Sequence, residues 1–294
     1  MELRQLEYFV AVSTELSYSR AAQRIHVVQS ALSAAVAKLE KELGVELFDR
    51  ARRQIALTAA GEAFLQEARN VILATQRARS TAQDYRGQLA GTVTIGTLMS
   101  WGTLDLATAL EEFRGRNPLV SVRLRQSLTG SAGHLEAIAA GRMDLALVST
   151  PSPPSSQVNL LRLTEEPMVF VCDPEHPLAD RRRVQLSDLD GADFIHFPQG
   201  WGIRKRLDTG FADAGARPVN AYEVADYAIA AELVRHRLAT TVLPTSAADR
   251  FPDLHAVPLH PSMTWTLSLA SASGQSGSRA VRALVDTITR HVGS

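Results

Sequence analysis

Residues 17–58 read SYSRAAQRIHVVQSALSAAVAKLEKELGVELFDRARRQIALT. Leu32, Val36, Leu39 and Leu43 recur at steps of four, three and four, the spacing that lays one apolar stripe along an α-helix. The opposite side of that helix carries Ser30, Ser33, Ala34, Ala37, Lys38 and Lys41. These small or cationic groups let a backbone lie close to base edges and phosphates. Upstream, Leu3, Leu6, Phe9, Val10 and Ser13 make a first helix, and Ser19 is placed to cap a short second one holding Ala21, Ala22 and Ile25. Alanines there allow two helices to cross closely. A helix-turn-helix needs that crossing, because its second helix must stand proud of the domain to enter a groove about 12 Å wide. The pattern predicts a head for duplex DNA, with contacts expected from Ser19, Arg20, Gln29, Ser30, Ser33, Ala34 and Lys38.

Between apolar Leu47-Phe48 and Ile55-Leu57 stands a basic turn with Arg50, Arg52 and Arg53. Three arginines flanked by short strands suit phosphate oxygens or a minor groove, and the turn falls where a winged domain places its wing. Net charge does not decide the matter, since residues 1–60 hold eight Lys or Arg against seven Asp or Glu. What counts for a duplex is clustering, and the cations cluster at 50–53 and on one helix face at 38 and 41.

The length of 294 residues leaves room for two or three domains. No apolar run is long enough to span a bilayer, and MELRQLEYF lacks the basic-then-apolar pattern of a signal peptide, so a cytoplasmic protein is expected. The single cysteine, Cys172, lies in the apolar stretch MVFVC and reads as a core residue of a buried strand. Enzyme signatures are missing from the sequence: there is no GxSxG, GxxxxGK[ST] or HExxH, no cysteine pair for zinc, and the eight histidines are scattered. A non-enzyme without cofactor or metal is expected.

Thr58 is placed to cap a long helix. Behind it Phe64, Ala68, Val71, Thr75, Ala78, Ala82, Tyr85 and Leu89 alternate steps of four and three, a seven-residue repeat. At about 1.5 Å per residue the seam runs close to 40 Å, more than one small domain needs to cover. A partner helix is therefore expected, and a homodimer would match two heads to two half-sites.

Beyond 87–91 the pattern changes again. Strands at 92–96, 119–125 and 144–148 alternate with helices at 103–115 and 132–140, which predicts an α/β unit with a mainly parallel sheet. A Ser/Pro-rich break at 149–156 follows. A second set begins at about 164, with strands 168–172, 194–197, 219–224 and 240–243 and helices 203–214 and 225–236. Strand 265–270 and helix 278–290 read as a return to the first set. In open α/β sheets ligands collect at the carboxyl ends of strands. Those points hold Thr97, Ser100, Trp101, Gly130, Ser131, Ser149 and Asp226, and the loop 197–202 adds Phe197, Gln199 and Trp201 as a wall able to stack on a flat ligand. Hydroxyls at helix starts suit an anionic or polar ligand.

LEYFVAVSTELSYSRAAQRIHVVQSALS, KLEKELGVELFDRARRQIALTAAGEAFL and DPEHPLADRRRVQLSDLDGADFI, in that order, carry a resemblance. Over essentially its whole length the chain resembles the LysR-type transcriptional regulators. That resemblance implies a winged helix-turn-helix at 1–58, a linker and dimerisation helix at 59–89, and an effector-binding domain at 90–294. The last is implied to be two-lobed and periplasmic-binding-protein-like, with lobe I at about 92–163 and 265–294 and lobe II at about 164–264. It also implies promoter DNA, a small-molecule effector, self-association as dimer or tetramer, and RNA polymerase as partners, with Ser100 and Ser131 where relatives hold an effector's carboxylate. The competing reading is a small-molecule binding protein with little sequence-specific DNA activity, which would not need the first 60 residues.

The chain departs from the family pattern at Val28 and Ser30, where relatives usually carry Ser and Pro, and at Ala34, where a long polar residue is common. Ser30 is expected to take over the capping role from Val28, shortening the start of the recognition helix. Glycines are usual in place of His236 and Ala239, so a looser turn is expected there.

Overall fold

The computed structural model describes residues 1–49, 55–84, 89–127, 129–150, 156–273 and 278–292. The chain divides into two compact units, Met1–Arg86 and Gly87–Ser294.

The first unit holds α1 (Leu3–Glu15), α2 (Tyr18–Arg24), α3 (Gln29–Leu43), the short antiparallel strands β1 (Phe48–Asp49) and β2 (Ala56–Leu57), and α4 (Ala59–Asp84). Its core forms where the apolar stripes of the helices meet. Leu32, Val36 and Leu39 of α3 are fully buried with Leu6, Phe9, Val12, Ala21 and Ala22. The stripe ends one turn early, because Leu43 lies at the helix end and is 37% exposed. Phe9 sits between Phe48 and Phe64, with ring centroids 5.4 and 5.3 Å away, and so joins α1 to the β-hairpin and to α4. Thr58 caps α4 as expected: its Oγ1 accepts from the Gly61 N–H at 3.0 Å and donates to the Glu46 carbonyl at 2.8 Å.

In the second unit β3 (Gly91–Thr97), α5 (Leu106–Arg116), β4 (Val120–Gln126), α6 (Gly130–Ala139) and β5 (Leu145–Val148) follow the predicted alternation. β3 pairs in parallel with both β4 and β5. The next strand, β6, runs from Val158 to Cys172, much longer than the five residues expected. It is followed by β7 (Asp193–His196), α7 (Gly202–Ala214), β8 (Val219–Glu223), α8 (Tyr227–Arg235), β9 (Thr241–Pro244), α9 (Thr245–Ala248), β10 (His255–Pro258), β11 (Thr264–Ala272) and α10 (Arg279–Arg290).

β6 corrects the expectation of a mainly parallel sheet. Its first part pairs antiparallel with β11 as far as Pro167 against Thr264, and its last part, from Met168 on, pairs antiparallel with β9 and β10. One strand therefore belongs to both lobes. The chain enters the second lobe along β6 and returns along β11, and two such crossings in opposite directions must lie antiparallel. The result is a seven-stranded mixed sheet in the order β10-β6-β11-β5-β3-β4, with β9 beside β6, and a separate parallel pair β7-β8. Cys172 closes β6 fully buried, and burial together with nearby Asp173 pushes its thiol up to about 12, in keeping with a core residue.

Candidate nucleic-acid interface and ligand cavity

α3 turns its apolar stripe inward, which leaves Gln29, Ser30, Ala31, Ala34, Ala37, Lys38 and Lys41 exposed and Ser33 half-buried. Two capping expectations change. α2 is capped by Ser17, whose Oγ accepts from the Arg20 N–H at 3.3 Å; Ser19 lies within the helix, and its hydroxyl reaches Gln29 Oε1 at 3.3 Å. α3 is not shortened: it starts at Gln29 with Val28 in an extended conformation (ψ 132°) at the cap position and no side-chain cap, while Ser30 stands inside the helix. The anchored stripe, not a capping hydroxyl, sets where this helix begins.

Three cations of the head, Lys38, Arg20 and Arg24, stand beside carboxylates at the surface. Lys38 Nζ lies 3.3 Å from Glu2, Arg20 bonds the Glu15 carbonyl, and Arg24 lies 2.8 Å from the Glu15 carboxylate. Such exposed pairs contribute about 0–1 kcal/mol, so a phosphate can replace the carboxylate at little cost. Arg50, Arg52 and Arg53 lie outside the described residues. Sequence reading missed Glu40. It is buried on α3, and its Oε1 accepts from the N–H groups of Leu47 (2.9 Å) and Phe48 (3.1 Å), which fixes the start of the hairpin against α3. An acid directly after Leu39 of the apolar stripe, seven residues before Leu47, is the signal it leaves in the sequence.

The proposed seam of α4 divides. Phe64 and Ala68 pack into the head's own core, whereas Val71 and Ala78 are exposed. The side chain of Ala82 and all of Tyr85 lie outside the described residues.

In the second unit a cavity of about 310 Å³ opens where strand ends and helix starts of the two lobes meet. Thr97, Gly130, Ser131, Ser149 and Trp201, all expected from strand ends, line it. Thr97, Ser131 and Ser149 are each at least nine-tenths buried, and Ser131 Oγ accepts from the Ser149 N–H at 2.9 Å, which leaves the Ser131 hydroxyl hydrogen for another acceptor. Close approach depends on glycines. Gly130 has φ +57°, and a Cβ there would stand 2.6 Å from the Trp201 ring; a Cβ on Gly202 would stand 1.8 Å from the Ser149 carbonyl oxygen. A backbone bond from Ala132 N–H to Gly200 O at 3.2 Å also links the two lobes.

Five expected residues stand outside the wall. Ser100 Oγ accepts from the Gly102 N–H at 3.2 Å and so closes its own turn. Trp101 packs on the core, and Phe197 is fully buried with its ring nearly parallel to Trp201, supporting that residue from behind. Gln199 is exposed, and Asp226 caps α8 by accepting from the Ala228 N–H at 2.6 Å. The wall instead includes Leu98, Met99, Gln126, Ser127, Ile203, Tyr227 and Trp265. Trp265 was legible only as part of a strand, because the long crossing that carries it to the cavity is a tertiary feature.

Among the described residues, no Lys, Arg, Asp or Glu lines the cavity. Arg204, at the start of α7, is turned away: it bonds Asp208 at 2.8 Å, the Phe197 carbonyl at 3.1 Å and Glu223 at 3.2 Å, and holds the 197–202 loop. Beneath the wall, His134 of α6 is 1% exposed, its Nε2 lies 3.0 Å from the Thr97 carbonyl, and burial pushes its ring below the usual imidazole range. The turn after α8 is tight despite its missing glycines, because Arg237 takes the left-handed conformation (φ +58°) and is held by Asp173 and Glu175. No helix among the described residues is long and apolar enough to cross a membrane.

Comparison with known proteins agrees with this geometry. Residues 3–62 match the bacterial regulatory helix-turn-helix protein, LysR family, and residues 86–293 match the LysR substrate binding domain. The Hca operon transcriptional activator HcaR of Escherichia coli is 33% identical over 250 residues, covering 83% of this chain and 82% of its own. Full-length OxyR from Pseudomonas aeruginosa superposes with a TM-score of 0.72 at 25% identity, covering 98% of this chain and 94% of its own. Full-length CbnR in complex with its target DNA has the same fold, with a TM-score of 0.71 at 24% identity over 99% and 100% of the two chains. This chain belongs to the LysR family of DNA-binding transcriptional regulators, with an effector-binding domain behind its helix-turn-helix, and such regulators are not enzymes.

Proposed function

We propose that α3 and the Arg50–Arg53 turn hold promoter DNA while the cavity takes a small aromatic or anionic effector, and that effector occupancy changes how the heads are presented. The observation that carries this is the cavity itself, with three buried hydroxyl residues, two helix starts and the rings of Trp201, Tyr227 and Trp265 around about 310 Å³. Hydroxyls and free N–H groups at helix starts receive an anion without a cationic side chain, and indole and phenol rings accept a flat one. The protein is read as acting in the cytoplasm as a homodimer or dimer of dimers, in contact with RNA polymerase. The exposed Val71 and Ala78 of α4 support a partner helix there. An effector shifts such an equilibrium only by its difference in affinity for the two arrangements.

The test is fluorescence anisotropy of the full chain on a duplex from its own upstream intergenic region, beside a shuffled duplex, across salt. Upstream DNA is expected to bind roughly 10³-fold tighter at physiological salt. Ser131→Ala is expected to abolish the ligand response and leave this binding intact. Equal, weak binding of both duplexes would reject the regulator mechanism, and joint loss of both activities in Ser131→Ala would make that hydroxyl structural.

A further inference from the structure

The start of α3 is unusual in what it offers a major groove. Val28, at 71%, is the most exposed of the large apolar side chains among the described residues. It occupies the cap position, where a hydroxyl or carboxylate would stabilise the helix, and provides no cap. Ala31 and Ala34 are exposed on the first turns behind it. Long hydrogen-bonding side chains are scarce on this part of the face: Gln29 is one, and its Oε1 is already met by the Ser19 hydroxyl at 3.3 Å. An apolar group at this place is unshielded in the free protein, and a base edge would cover it in the complex.

In the major groove each base pair shows a distinct pattern, and the one apolar feature in it is the C5-methyl group of thymine, which alanine and similar side chains touch. Guanine is read by bidentate arginine or lysine, a group that the first two turns of α3 lack. We propose that this head selects its operator through thymine methyl groups, with Val28 and Ala34 as the specificity-determining contacts. The inference rests on α3 being the helix that reads DNA. It assigns to T·A pairs a discrimination that comes from burial of methyl surface, worth roughly fourfold in affinity for each group fully covered.

The test begins with duplexes selected from a random-sequence pool by the full-length protein. A selected duplex is resynthesised with deoxyuridine for thymidine in its half-sites, which removes the methyl groups and keeps every hydrogen-bonding edge. The wild-type protein is expected to bind the thymidine duplex roughly tenfold more tightly, as two or more methyls are lost. The double variant Val28→Ser, Ala34→Ser is expected to bind the two duplexes within about twofold. Both affinities are measured on one preparation, so their ratio does not depend on the fraction of folded protein. Equal binding by the wild type would overturn the inference, as would a double variant that keeps the wild-type ratio. A pool from which nothing is enriched would instead overturn the reading of α3 as a DNA helix, and the inference with it.

Discussion

On α3 the groups proposed to meet DNA, Gln29, Ser30 and Ala34, stand exposed on one helix within two turns of each other, whereas the cavity gathers Thr97, Ser131, Ser149 and Trp201 from separate segments and buries them. The first surface is convex and needs only that its helix be anchored from behind. The second exists only while two lobes approach closely, and glycines permit that approach. A single added methyl should therefore do far more harm in the second unit than on the outer face of the first. Gly202→Ala is the strongest way to break this contrast. Its Cβ would meet the Ser149 carbonyl at 1.8 Å, and that backbone is itself tied to Ser131. The expected cost is about 3 kcal/mol or more, since the neighbour is backbone and cannot swing aside. Trp101, Trp201 and Trp265 all lie in the second unit, so the tryptophan fluorescence midpoint in urea reports that unit alone. An unchanged midpoint would mean the lobes separate freely and the cavity does not need their contact.

Within the head, anchorage should matter more than any exposed contact for stability. Glu40 accepts two backbone N–H groups at the start of the hairpin from a buried position. Its replacement by Ala leaves two buried donors without an acceptor, a loss of about 1–3 kcal/mol. Glu40→Gln keeps one acceptor oxygen and should lose less. Far-UV melting of the two variants, with duplex affinity measured on random DNA, checks this. An Ala variant as stable as the parent would remove Glu40 from the support of the hairpin and leave Phe48 packing as its anchor.

The contrast also explains what could be read in advance. Periodicity located α1, α3 and α4 and the inward face of α3, because a helix states its buried side within a few turns of sequence, whereas among the described residues the seam of α4 packs into the head's core only at Phe64 and Ala68. It succeeded at the Thr58 cap of α4 but failed at two others: Ser17 rather than Ser19 holds α2, and Val28 stands at the start of α3 with no side-chain cap, since packing of Leu32, Val36 and Leu39 outweighs a terminal hydrogen bond. Strand ends pointed to Thr97, Ser131 and Ser149, which line the cavity. They could not separate Trp201, in the wall, from Phe197, four residues away and buried behind it. The length of β6 was hidden for a related reason. Its first part is exposed in places and lacks a continuous apolar run, so only its pairing with β11 makes it a strand.

The smallest expected effect lies in the response to acid, and it sharpens the same comparison because its groups lie in the second unit. Burial is the first cause that pushes His134, His176 and His196 below the usual imidazole range. A histidine whose folded pKa is depressed takes up its proton more readily in the unfolded chain, so its contribution is complete above about pH 6.5 and declines as the pH falls below that value. Each group adds a slope of at most about 1.4 kcal/mol per pH unit, over a window as wide as its own shift. Below the ordinary carboxylate range a second decline should follow from Glu112, which His291, Arg290 and Arg116 hold down to about 2. Urea midpoints followed by tryptophan fluorescence at pH 7.5, 6.5 and 5.5 should fall between the last two. His134→Gln, which retains an amide able to reach the Thr97 carbonyl, should flatten that fall without matching the cost of Gly202→Ala. A variant that falls as steeply as the parent would show that His134 is not among the groups that bind the proton on unfolding, and would leave the dependence to His176 and His196.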